Sequence, residues 1–136
     1  MDRRFLNPLY LLLACAALVG CVPQKNADLP LPKKLDNAAL FDCADATVRE
    51  LHSRDEQWKL SVTQRDVADG RFETGHFDEP NVMGYRMRLV RRGAEPRATL
   101  GVRAAGPYFT DLGAERALIA FQTTLSACIA RGTPDH

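Results

Sequence analysis

Apolar residues along this chain recur first at helical spacing, then at every second position, then at helical spacing again. Between Asn37 and His52, residues Leu40, Ala44, Val48 and Leu51 form one stripe at the helical period, with Asp36 placed to cap its start and Ser53-Arg54-Asp55 reading as the exit. From Trp58 the period falls to two: Trp58, Leu60 and Val62 alternate with polar neighbours, and Asp69-Gly70 follows as a turn. Arg71 to His76 is a weaker strand. Met83, Tyr85, Met87 and Leu89 then alternate with Arg86, Arg88 and Val90, and after the Gly93–Pro96 turn Ala98, Leu100 and Val102 alternate with Thr99, Gly101 and Arg103. Past Gly106-Pro107, Ala114, Leu118, Phe121, Leu125 and Cys128 make a second helical stripe, capped by Thr110 or Asp111, with Glu115 near the positive end of the helix dipole. Tyr108-Phe109 fits a hydrophobic staple at that start, with an exposed contact as the alternative. The pattern predicts an α+β fold over 36–131, in the order helix, four-stranded antiparallel meander, helix. Both helices cover one sheet face, and 132–136 are a disordered tail.

Ahead of this domain the periodicity disappears. Val22 to Leu35 carries Pro23, Pro30 and Pro32 among Gln24, Lys25, Asn26, Lys33 and Lys34, so residues 21–35 read as an extended tether. Residues 1–20 follow another rule: Arg3 and Arg4 precede an apolar run from Leu9 to Val19, and small residues precede a thiol at Cys21, the order of a secretory signal. The run is about a dozen residues long, short of the roughly twenty that span a bilayer. The stretch Leu18-Val19-Gly20-Cys21 resembles the lipobox of bacterial lipoproteins. That resemblance covers only the leader. It implies cleavage before Cys21, a diacylglyceryl thioether on its sulfur and an acylated amino end. Val22 in place of Asp after the lipidated cysteine resembles the outer-membrane class, with the domain expected in the periplasm.

Processing changes the charge and the cysteine count. Losing Asp2, Arg3 and Arg4 turns the net charge of +1 into formal neutrality, so no global field draws the chain to nucleic acid. Of four cysteines, Cys15 leaves with the leader and Cys21 carries lipid. Cys43 and Cys128 remain in an oxidising compartment, where a disulfide is the default and would tie the two helices together. It would close a loop of roughly 85 residues, about 4 to 5 kcal/mol in the chain-entropy model. A redox pair is the alternative reading, but no Cys-x-x-Cys spacing is present.

Candidate chemistry is sparse. If the apolar side of each strand faces the helices, the opposite side collects Lys59, Arg65, Arg86, Arg88, Arg97 and Arg103, with Glu73 as the main counter-charge. Arg86, Arg88, Arg97 and Arg103 are then candidate ligand-binding residues for lipid phosphate, glycan or an acidic partner. A merely solvated face explains the same pattern. That face lacks the aromatics of a single-strand nucleic-acid platform. His52, His76 and His136 have no metal-ligand spacing, Asp55-Glu56 and Asp78-Glu79 read as turn residues, and no Gly-x-Ser-x-Gly is present. The expectation is a non-enzymatic, outer-membrane-anchored lipoprotein without metal or cofactor, an accessory or adaptor binding another envelope component, with an envelope protein as the expected partner. The alternative is a module that binds an anionic ligand, lipid A or glycan, through its basic sheet face.

Overall fold

The structure, a computed structural model, describes residues 22–132. The leader, Cys21, the end of the tail and His136 lie outside the described residues. The fold is α+β: β1 (Gln24–Pro30), α1 (Asn37–Arg54), β2 (Val62–Asp66), β3 (Arg71–Thr74), β4 (Gly84–Val90), β5 (Arg97–Ala105) and α2 (Ala114–Gly132). One antiparallel sheet runs in the order β1-β5-β4-β3-β2.

The expected meander of four strands is therefore five, and the addition comes from the segment read as a tether. β1 pairs with β5 from Gln24↔Arg103 to Pro30↔Arg97. Leu29 points into the core and Ala27 packs against it, while Gln24, Asn26 and Asp28 occupy the other side. The chain stays packed beyond the strand: Leu31 donates its N–H to Pro96 O at 2.8 Å, and Leu31 and Leu35 are both buried. An edge strand needs one paired side and one apolar face, so a sequence this polar can supply it, and proline is tolerated at its end.

The helices form where their stripes and caps place them. The Asp36 carboxylate accepts from Ala39 N at 2.8 Å at the start of α1. Asp111 Oδ1 accepts from both Gly113 N and Ala114 N at 2.8 Å at the start of α2, which ends at Gly132 and so takes in the first residue of the expected tail. Leu40, Phe41, Ala44, Val48 and Leu51 of α1 and Ala117, Leu118, Phe121, Leu125 and Ile129 of α2 share one core with Phe72, Met87, Leu89, Leu100 and Val102 of the sheet. Cys43 and Cys128 are joined where the helices lie side by side, with Cα atoms 5.7 Å apart.

The strand expected from Trp58 begins later, at Val62, because the alternation there does not track burial. Trp58 is buried against Tyr85 and Phe121, with ring centroids 5.0 and 5.7 Å away, but Leu60 and Val62 are exposed. β3 covers β4 only from Arg88 to Val90. At Tyr85 the Gln57–Lys59 segment takes over, as Tyr85 N donates to Gln57 O and Lys59 N donates to Tyr85 O. Tyr108, half of the expected staple, is 96% exposed and so staples nothing.

Candidate functional site

The second sheet face, opposite the helices, is where the arginines were expected to gather. β4 and β5 do bring three together: Arg86 lies directly across from Arg103, and Arg88 is two residues further along β4. Arg97 sits at the other end of β5, about 20 Å away at a strand's rise per residue. Arg65 is not on this face. Its guanidinium pairs with Asp42 of α1 at 2.8 Å and lies 6.0 Å from the Phe41 ring, because its strand partner is Phe72, a core residue.

The face is not open. After β3 the chain passes through Gly75 and His76, both with positive φ (65° and 53°), and folds back over β4. A Cβ on Gly75 would stand 2.8 Å from Arg86 Cγ and 2.7 Å from Lys59 Cβ, so a side chain there would displace the stem of Arg86. The reversal aims three carbonyls inward. Arg86 Nη1 donates to the oxygens of His76 at 2.8 Å, Phe77 at 2.9 Å and Glu79 at 2.7 Å. Two N–H bonds serve three acceptors, so one is shared. Arg86 is fully buried, whereas its pattern position predicts an exposed ligand contact. The 76–79 loop covers it.

Its charge is poorly compensated. Nε and Nη2 have no acceptor among the described residues. Burial, reinforced by the Arg103 charge, lowers the guanidinium's pKa, against the opposing pull of Asp78 and Glu79.

Phe77 closes the layer. It is buried, and the guanidiniums of Arg88 and Arg103 lie over its ring, 4.3 and 4.7 Å from the centroid. Arg88 also holds Glu73 and Asp78, each at 2.5 Å. Arg103 donates to Phe77 O at 2.7 Å and to Gln24 Oε1 of β1 at 2.9 Å. Arg86, Arg88 and Arg103 thus fasten a loop to a sheet. Arg97 alone of the four candidates is exposed without an ion pair among the described residues, in an open cleft of about 520 Å³ lined also by Arg92, Asp28, Glu95 and Thr99.

Two residues of this architecture escape the sequence pattern. Phe77 leaves one signal, an aromatic between His76 and Asp78 in a loop. Arg91 leaves none: its buried guanidinium donates to Leu35 O and, through Nε, to Glu95 O at 2.8 Å, joining the end of β4 to the segment before α1.

The two described histidines, His52 and His76, serve separate structural contacts. His52 Nδ1 lies 2.7 Å from Trp58 O, holding the exit of α1, and exposed His76 uses its backbone N–H on Thr63 Oγ1. Among the described residues no three His, Cys, Asp or Glu side chains are grouped to hold a metal ion. No helix there is long and apolar enough to cross a membrane. No known family model matches the chain, and no curated protein resembles it closely enough to count as a relative.

Proposed function

We propose that the protein is a lipoprotein anchored to the outer membrane through Cys21, and that its α+β domain is a non-enzymatic accessory or adaptor for another component of the cell envelope. The observation that carries the reading is the Cys43–Cys128 bridge. A structural disulfide persists in an oxidising compartment, which is where a leader ending in Leu18-Val19-Gly20-Cys21 would deliver the domain. The anionic-ligand reading loses ground on geometry. Arg86 is sealed beneath the 76–79 loop, and Arg88 and Arg103 are committed to Glu73, Asp78, Gln24 and Phe77. What remains for that reading is the cleft at Arg92 and Arg97, whose charge Asp28 and Glu95 offset.

Two measurements test the proposal. Metabolic labelling with a fatty-acid probe should mark the wild-type product and not Cys21→Ser; an unmarked wild type removes the anchor. Capture of the mature lipoprotein from crosslinked envelopes should then yield one envelope protein in stoichiometric amount. Co-purification of lipopolysaccharide or glycan in its place would favour the ligand binder and overturn the adaptor.

A further inference from the structure

One end of the sheet is apolar and uncovered. Met83 precedes β4 and is 57% exposed, and Tyr108 follows β5 and is 96% exposed. Between them lies a mainly apolar cleft of about 130 Å³, lined also by Pro80, Asn81, Val82, Ala105 and Gly106. Tyr108 is held in the left-handed region at φ 55°, a conformation rare for a non-glycine residue. The turn beneath it is fixed: Gly106 N donates to Thr110 O at 2.7 Å, Thr110 Oγ1 to Pro107 O at 2.7 Å, and Leu112 N to Ala104 O at 3.1 Å. A firmly built turn therefore presents an aromatic ring to the outside.

The amino-terminal chain leads to the same end. β1 runs antiparallel to β5, so its first residues lie beside the last residues of β5, and Ala104 N donates to Pro23 O at 3.0 Å. Cys21 is two residues before Pro23, a reach of about 7 Å at most. With residues 24–30 paired in the sheet, no long tether separates the acylated residue from the domain.

From this juxtaposition we propose that the Val82–Met83 and Tyr108 end of the sheet docks on the bilayer that holds the Cys21 lipid. The domain then sits with the β4 start and β5 end against the headgroups and the Gly93–Ala94 turn pointing away. The proposal rests on the anchored reading above and adds an orientation and a contact surface to it. Tyrosine suits the role, because its apolar ring and polar hydroxyl favour the headgroup level. Methionine adapts to an irregular apolar surface. Lys25 and Arg116, close enough to Asp111 for their charges to act on its carboxylate, place cations near the same end.

The test uses the processed, acylated protein in phosphatidylethanolamine–phosphatidylglycerol vesicles. Trp58, the one native tryptophan, is buried and supplies a constant background. Tyr108→Trp and Met83→Trp, both at exposed positions, should emit at shorter wavelength on vesicles than they do in vesicle-free buffer when combined with Cys21→Ser. Phospholipids brominated on their acyl chains should remove most of the added emission. Ala94→Trp, at the far end, should be unquenched. Intact mass and vesicle flotation report acylation separately. Acylated, floated protein whose added tryptophan emission stays water-like at both positions would overturn the docking while leaving the anchor standing. Blue-shifted emission that bromolipid leaves untouched would also overturn it, in favour of a second copy or a protein partner on this end. Missing acyl mass would remove the anchor itself, and the docking with it.

Discussion

A buried arginine can be a ligand site waiting to be filled or a strut, and Arg86 is a strut because its acceptors are already in place. The oxygens of His76, Phe77 and Glu79 converge on one nitrogen, and the reversal that aims them needs positive φ at Gly75 and His76. Removing the guanidinium leaves the Glu79 carbonyl without its partner, takes one donor each from the His76 and Phe77 carbonyls, which keep Glu79 N and Arg103 Nη1, and opens a cavity beneath a buried phenylalanine. Arg86→Ala should therefore cost about 2 to 4 kcal/mol, read as a lower urea midpoint with an unchanged slope. Arg97→Ala, on an exposed position, should stay within about 0.5 kcal/mol of wild type. Equal effects at the two positions would show that the loop does not depend on Arg86. A period of two in the sequence identifies which face a strand residue points toward. It is blind to a loop that later folds over that face, and for that reason Arg86 and Arg97 look equivalent in the sequence although one is sealed and the other open.

Among the elements, the helices were the most legible and β1 the least, for reasons of how many sides each must satisfy. Each helix has a full apolar stripe, a capping carboxylate and a cysteine near its buried face, and each signal is local. β1 buries only Leu29 with partial help from Ala27, and the prolines that suggest a tether sit at or beyond the limits of its pairing. Its strand character comes from β5, some seventy residues later in the chain, which no local window sees. Leu29→Ala is the discriminating change. As a tether residue Leu29 would tolerate it, whereas as a core residue it should cost about 2 to 4 kcal/mol, and those amides of residues 24–29 that point to β5 should exchange slowly with solvent. At the start of α2 the two backbone N–H groups of Ala114 and Gly113 hold the Asp111 carboxyl below its ordinary pKa of 3.8. A lowered folded-state pKa gives stability that is present above the ordinary value and is lost as pH falls through the folded one. Acid should therefore fray the first turn of α2, and Asp111→Asn should flatten that part of the stability–pH curve. NMR titration of Ala114 and Gly113 amides would report the loss directly, and amides indifferent to acid would exclude the cap as its origin.

For the molecule as a whole, the disulfide decides how much stability the packing must supply alone. A domain of this length hides a modest share of its unfolded surface, so its margin is narrow. It also buries two arginines, Arg86 with two nitrogens and Arg91 with one lacking an acceptor among the described residues, and buried charge of that kind opposes stability. The Cys43–Cys128 bridge joins α1 near the start of the domain to α2 near its end, 85 residues apart, and so restricts the unfolded chain more than a short loop would. The paired change Cys43→Ala with Cys128→Ala should lower stability by about 3 to 4 kcal/mol, and the melting temperature by roughly 15 °C. The folded variant should keep the far-ultraviolet spectrum of the native protein, since the caps and the shared core of α1 and α2 do not involve sulfur. Reduction of the wild type should produce the same drop, because the bridge acts chiefly by limiting the unfolded ensemble. Should the double variant melt where the oxidised protein does, the bridge would be an incidental contact between helices already fixed by Phe41, Phe121 and Leu125. Packing alone would then hold the domain.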